Sequence, residues 1–161
     1  MKGLWKGFAC VVIVYSLMLV GCPSRSIAKA KDSSAKLARY ANTGINVTRD
    51  LYQQKVIPLA HKDKIADAFI ALADAGIAFD AAVARAEQVY GPNVSGSEID
   101  KLFQVFDTQV VSGFLAVLVQ LKLISDASAY GAVIDSIRAA VLIIANTFGR
   151  SKETERRLAT V

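Results

Sequence analysis

Four long stretches of the chain repeat apolar residues at helical spacing, and none alternates apolar and polar residues as a strand does. The stretch between Pro58 and Gly91 is the most regular, because its apolar positions alternate steps of four and three residues. These positions are Ile65, Phe69, Leu72, Gly76, Phe79, Val83, Ala86 and Tyr90. An unbroken seam of this kind predicts one long helix that buries this face.

The other three stretches carry start and stop signals. Ser33 or Ser34 is a favoured N-cap for the first, which is expected to end at Ile57 because Pro58 follows. A capping-box pair, Ser95 and Glu98, opens the next. The three predicted helices span residues 33–57, 96–124 and 127–149. Because every connection is short, the sequence predicts an all-α fold, an antiparallel up-down four-helix bundle over residues 33–149.

An uncharged apolar run precedes this domain. It follows Lys2 and Lys6, and its strongly apolar part covers residues 8–20. That length is typical of a signal-peptide core and is short of the roughly 20 residues of a membrane-spanning helix. The run ends with Leu19, Val20, Gly21 and Cys22.

These four residues resemble the lipobox of bacterial lipoproteins, in which aliphatic and small residues precede an obligatory cysteine. The resemblance covers residues 1–22 only. It implies that a signal peptide, residues 1–21, is cleaved and that Cys22 carries a diacylglycerol and usually one further acyl chain. Two or three chains hold a protein to a bilayer far more firmly than one. The alternative interpretation is an uncleaved signal anchor that ends in an incidental cysteine.

The same resemblance implies a location. The mature domain would be anchored to a cell membrane and face the periplasm or the exterior. Pro23 follows Cys22 where an aspartate could stand. This resembles the outer-membrane address of the enterobacterial sorting pattern, which applies to a host with an outer membrane. No cofactor is expected beyond the lipid on Cys22.

Charge changes the expected set of partners. The full chain has a net charge of +5, and removal of Lys2 and Lys6 lowers it to +3. The excess positive charge lies in a basic linker, residues 22–32, in the first turns of the first predicted helix, and in a charged tail, residues 150–161. Beside a lipid anchor each basic charge would gain about 1 kcal/mol from anionic headgroups, although a solvated linker explains the pattern equally well. Nucleic acid is not an expected partner, because no basic face interleaved with aromatics occurs.

Residues of catalytic type form no motif. His61 is the one histidine and has no metal-ligand partner at helical spacing. Asp63, Asp67 and Asp74 lie opposite the apolar seam, where solvated carboxylates are expected. Cys22 is the one cysteine that remains after cleavage, and it would be acylated. The sequence therefore predicts no enzyme and no metal site.

The third helix has an apolar ridge beside its seam. Val111, Leu115 and Val119 lie four residues apart, and in a monomeric bundle they would face water. A contiguous exposed apolar patch usually marks an interaction site. We therefore expect a non-enzymatic domain that binds a second copy, an envelope protein or the bilayer surface through this ridge. The alternative is a bundle whose small residues leave room for a lipophilic molecule.

Overall fold

The computed structural model describes residues 23–91, 94, 96–124 and 127–160, and these residues form helices and short turns without a strand. The helices are α1 (Pro23–Gln53), α2 (Leu59–Tyr90), α3 (Gly96–Leu121), α4 (Gly131–Thr147) and α5 (Ser151–Ala159). α3 contains a π-helical segment, Phe106–Val111, and a 3-10 turn, Ala127–Tyr130, precedes α4. The predicted all-α fold class is confirmed.

α1 and α2 run antiparallel along most of their length. Near the start of α1, the Ser34 hydroxyl donates a hydrogen bond of 3.1 Å to Asp80 Oδ1, in the second half of α2. Further along α1, Gly44 lies beside the ring of Phe69, in the first half of α2. The short connection of residues 54–58 makes this the natural packing of the two helices.

α3 packs against α2, and α4 packs against α1. The rings of Phe79 in α2 and Phe106 in α3 have centroids 5.4 Å apart. Directly before α4, the Tyr130 hydroxyl donates a buried hydrogen bond of 3.0 Å to Thr48 Oγ1 of α1. Burial raises the pKa of Tyr130, so its phenol stays protonated as this donor. Phe148, just after α4, lies 6.4 Å from the Phe106 ring and joins α3 to the end of α4.

The predicted seam of α2 forms the centre of the core. Its positions from Ile65 to Ala86 are all buried, whereas Tyr90 at the end of the helix is 45% exposed. Around this seam the described core extends from Ala30 in α1 to Leu158 in α5. Burial of one large apolar side chain stabilises the fold by about 1.5–3 kcal/mol. Burial of the α2 seam therefore contributes more to the stability of the fold than the residues that start and stop the helices.

Gly44 brings α1 close to α2. A Cβ atom at this position would overlap the ring of Phe69, and the Phe69 ring is itself stacked on Tyr130 with centroids 5.9 Å apart. The ring therefore has little room to move. An interior glycine normally weakens a helix by about 1 kcal/mol relative to alanine, and here the close packing accounts for its presence.

Gly44→Ala is expected to destabilise the domain by about 1–3 kcal/mol, because the overpacking exceeds the gain in helix propensity. Gly131→Ala is the matched control, since a Cβ at Gly131 meets no atom within 4 Å. Urea unfolding followed by circular dichroism measures both changes. Equal midpoints for the two variants would contradict the close contact at Gly44.

α1 begins ten residues earlier than predicted, and residues 23–32 are helical where a linker was expected. Pro23 is the first residue of the described helix, and proline is favoured in the first turn of a helix, where its missing N–H has no partner to lose. Ser33 and Ser34 are buried inside the helix and are not N-caps. The Ser34 hydroxyl instead bonds back to the Lys31 carbonyl at 2.9 Å.

Two further boundaries differ. α1 ends at Gln53 and not at Ile57, because Lys55 adopts a positive φ of 61° and the chain turns so that Ile57 enters the core. Residues 151–159 form α5 where a charged tail was predicted. Its Thr154 and Leu158, one helical turn apart, are both buried, so this segment is part of the fold.

Candidate interaction surfaces

The predicted lipobox, Leu19 to Cys22, lies outside the described residues. The first described residue, Pro23, directly follows Cys22 and begins α1. At 1.5 Å per residue the 31 residues of α1 span about 46 Å. An anchor on Cys22 would therefore be attached to the end of a long helix without an intervening loop.

The three residues of the predicted ridge have different environments. Val111 is fully buried, Leu115 is half-buried against the core, and Val119 is 46% exposed. The prediction that all three face water is wrong for Val111. The three residues therefore do not form one continuous exposed patch in the fold.

The π-helical segment explains why Val111 is buried. The backbone N–H of Ser112 donates to the carbonyl of Asp107, five residues earlier. A π turn holds more residues than an α turn, so Val110 and Val111 both remain on the core side. The segment is also held from α5, because the Arg157 guanidinium donates to the Asp107 carboxylate.

Four of the basic residues flanking the domain are paired with acids. The pairs are Lys31 with Glu87 (3.2 Å), Lys36 with Asp32 (2.6 Å), Arg150 with Asp100 (3.6 Å), and Arg157 with Asp107. Exposed pairs of this kind contribute little to stability, because water and salt screen them. Their main effect is to neutralise charge that would otherwise attract an anionic surface.

Titratable groups with catalytic potential do not converge in the described part of the chain. No three His, Cys, Asp or Glu side chains among the described residues could hold a metal ion together. His61 lies in the first turn of α2, and the neighbouring Lys62 pairs with Asp63 at 3.4 Å. The buried hydroxyls of Ser34 and Thr48 are hydrogen-bonded inside the fold.

A line of exposed residues runs along α2, away from its core seam, and we call it the outer stripe. Its members are Asp67, Ile70, Ala71, Asp74, Ile77, Ala78, Ala81 and Arg85. Ile70 is 45% exposed and Ile77 is 59% exposed. The sequence pattern predicted a plain solvated face on this side, and the two isoleucines were missed. The seven-residue spacing of Ile70 and Ile77 places them on one face of the helix, and this spacing could have identified them from the sequence.

The charges of the outer stripe have no partner in the fold. Neither Asp67, Asp74 nor Arg85 forms an ion pair with another described residue. The two aspartates lie in the first half of α2 and the arginine lies near its end. The stripe therefore has an acid at one end and a base at the other, with isoleucines, alanines and Asp74 between them.

A groove of about 540 Å³ borders the C-terminal half of the outer stripe, between α2 and α3. Its α2 side is formed largely by alanines, including Ala78, Ala81 and Ala82, and α3 contributes Leu102 and Val105. The groove is an open, shallow depression. Its shape fits side chains of another helix better than an enclosed small molecule.

Two described helical stretches, Gly96–Leu121 and Ala127–Thr147, are long and apolar enough to cross a membrane by length and composition alone. Both contribute to the core, through Phe114 and Ile144 among others. The core helices of water-soluble domains pass the same test, so these stretches identify no membrane span.

Comparison with protein families, with curated proteins and with solved structures finds no match to this chain. The function is therefore inferred from the surfaces of the described helices.

Proposed function

We propose that this chain is a bacterial envelope lipoprotein, acylated at Cys22, whose non-enzymatic helical domain acts in protein–protein interaction. The observation that carries the proposal is the position of the predicted lipobox, which ends one residue before α1. Cleavage before Cys22 would remove no residue of the described core, which begins at Ala30. The expected cleavage site, before Cys22, thus lies directly before the first described helix.

The finer architecture that we propose is an antiparallel up-down four-helix bundle, formed by α1 to α4, with α5 packed at its end. The antiparallel pairing of α1 with α2 and the packing of α3 and α4 on them support this arrangement. A bundle of this kind presents long, rigid helical faces, which suit recognition of another helix.

The proposed location is the outer surface of a membrane, facing the periplasm or the exterior. In a host with an outer membrane we favour that membrane, because Pro23 follows the cysteine. The partners are then the membrane itself, through the lipid, and a second copy or another envelope protein. Nucleic acid and a cofactor other than the lipid have no place in this proposal.

A carrier of lipophilic molecules is the weaker alternative. Small residues could leave space between helices, but here they close it. Gly44 lies against Phe69, and a Cβ on Gly76 would lie 3.3 Å from Leu37 Cβ. We therefore assign these residues to helix packing.

Cys22→Ala in the full chain is expected to abolish incorporation of labelled fatty acid and to leave an unprocessed precursor of slower migration. Cys10→Ala is the matched control, because Cys10 lies inside the apolar run and is not the acceptor of the proposed lipid. Metabolic labelling followed by gel electrophoresis measures both. Labelling that persists without Cys22 would remove the lipoprotein proposal, whereas equal loss in both variants would show an indirect effect on export.

A further inference from the structure

We infer that two copies of this chain pair through their α2 helices, in antiparallel orientation, with the outer stripe of one against the outer stripe of the other. This inference rests on the proposed interaction role and names the partner as a second copy. The exposure, charge and register of the outer stripe support the inference, because the packing of the domain core does not account for them.

Charge sets the register. Asp67 lies nine residues before Gly76, and Arg85 lies nine residues after it. When two α2 helices pair antiparallel about a two-fold axis level with Gly76, each Asp67 faces the Arg85 of the other copy. A two-fold interface is self-complementary, so a single unlike pair in one chain yields two ion pairs in the dimer. Both residues have no other ion-pair partner among the described residues.

The same register places large side chains against small ones. Ile70, six residues before Gly76, faces Ala81, five residues after it, because the two positions are eleven residues apart and lie on the same side of α2. Alternation of large and small residues lets two helices interdigitate at close distance.

The groove between α2 and α3 adjoins this contact. Ala81 lines the groove together with Leu102. Ile70 of the second copy would therefore pack at the edge of the groove and bury apolar surface on both sides. Burial of an exposed isoleucine favours association.

One residue opposes this pairing and makes the register testable. Asp74 lies two residues before Gly76, so the two copies of Asp74 are only about 6 Å apart along the helix axis. Like charges at this distance repel. The dimer should therefore tighten when the charge of Asp74 is removed, and an unrelated partner would have no reason to show this response.

The antiparallel pairing also defines how the dimer meets a membrane. α1 runs antiparallel to α2, so the N-terminal ends of the two α1 helices lie at opposite ends of the pair. Lipids on both chains can enter one bilayer only when the helices lie along its surface. The dimer then has its two-fold axis perpendicular to the membrane.

Charge exchange between Asp67 and Arg85 tests the inference. The full chain, purified in mild detergent, is expected to sediment as a dimer. Asp67→Arg and Arg85→Asp should each raise the dissociation constant at least about tenfold, because each places like charges at both ends of the interface; tenfold corresponds to about 1.4 kcal/mol. Mixing the two variants should restore the dimer mass, since each then meets its complement. Asp74→Asn should lower the dissociation constant.

Circular dichroism is the control, since Asp67, Asp74 and Arg85 are exposed and their replacement should leave helicity unchanged. A monomeric unaltered chain, or a mixture that fails to associate, would overturn the inference. Capture of a different envelope protein by a monomeric chain would also overturn it and would leave the proposed interaction role intact. Fatty-acid labelling of Cys22 proceeds in all these variants, so failure of the lipoprotein proposal is seen separately.

Discussion

Phe79→Asp is expected to unfold the domain. Phe79 is fully buried, and its ring lies 5.4 Å from the ring of Phe106 and 6.2 Å from that of Phe148. Truncation of such a ring costs about 3–5 kcal/mol, and an unpaired buried charge adds several more. A domain of this size has about 5–15 kcal/mol of stability in total, so the sum is enough to lose the fold.

Val89→Asp is the matched control for this prediction. Val89 lies on the same helix but is 64% exposed, so a charge there remains in water. Thermal melting followed by circular dichroism should show loss of the cooperative transition for Phe79→Asp and little change for Val89→Asp. A melting temperature unchanged in both variants would mean that the seam of α2 is not the core.

The centre of the fold was predictable because one helix face carries a regular pattern. From Ile65 to Ala86 every position of the α2 seam is buried, and the helix ends at Tyr90, directly before the predicted stop at Gly91. Periodicity reports burial directly, since an apolar face at helical spacing has no other stable location. The start of α2 was equally clear, because Pro58 cannot lie inside a helix that continues from α1.

The ends of the domain were less predictable because their signals are short and ambiguous. Serine is a good N-cap and is also tolerated inside a helix, so Ser34 did not separate a linker from a helix. At the other end, charge suggested a free tail. Burial of Thr154 and Leu158, with the ion pair between Arg157 and Asp107, depends on contacts with distant parts of the chain that no local pattern contains.

The outer stripe shows a different limit. Asp63, Asp67 and Asp74 were correctly placed on the exposed side of α2, where Arg85 also lies. Ile70 and Ile77 lie between these charged residues. The exposed side of α2 therefore combines apolar and charged side chains and is not a uniform polar face. The sequence contained both observations, and the structure shows that they share one surface.

The π-helical segment is the feature that sequence periodicity could not predict, and it determines which residues of the predicted ridge are buried. Periodicity assumes 3.6 residues per turn throughout a helix. A single wider turn at Phe106–Val111 brings Val111 into the core and separates it from Val119. Residues that share a face in the regular helix therefore have opposite environments.

Val111→Lys is accordingly expected to destabilise the domain by at least about 3 kcal/mol, because it places an unpaired ammonium group in a fully buried position. Val119→Lys makes the same chemical change eight residues later at a position that is 46% exposed, and it should alter stability by about 0.5 kcal/mol or less. Urea unfolding of both variants measures the difference. Similar, small effects at the two positions would contradict the wide turn and support a regular helix with an exposed ridge. A large effect at Val111 alone would agree with the wide turn and with the buried position of Val111.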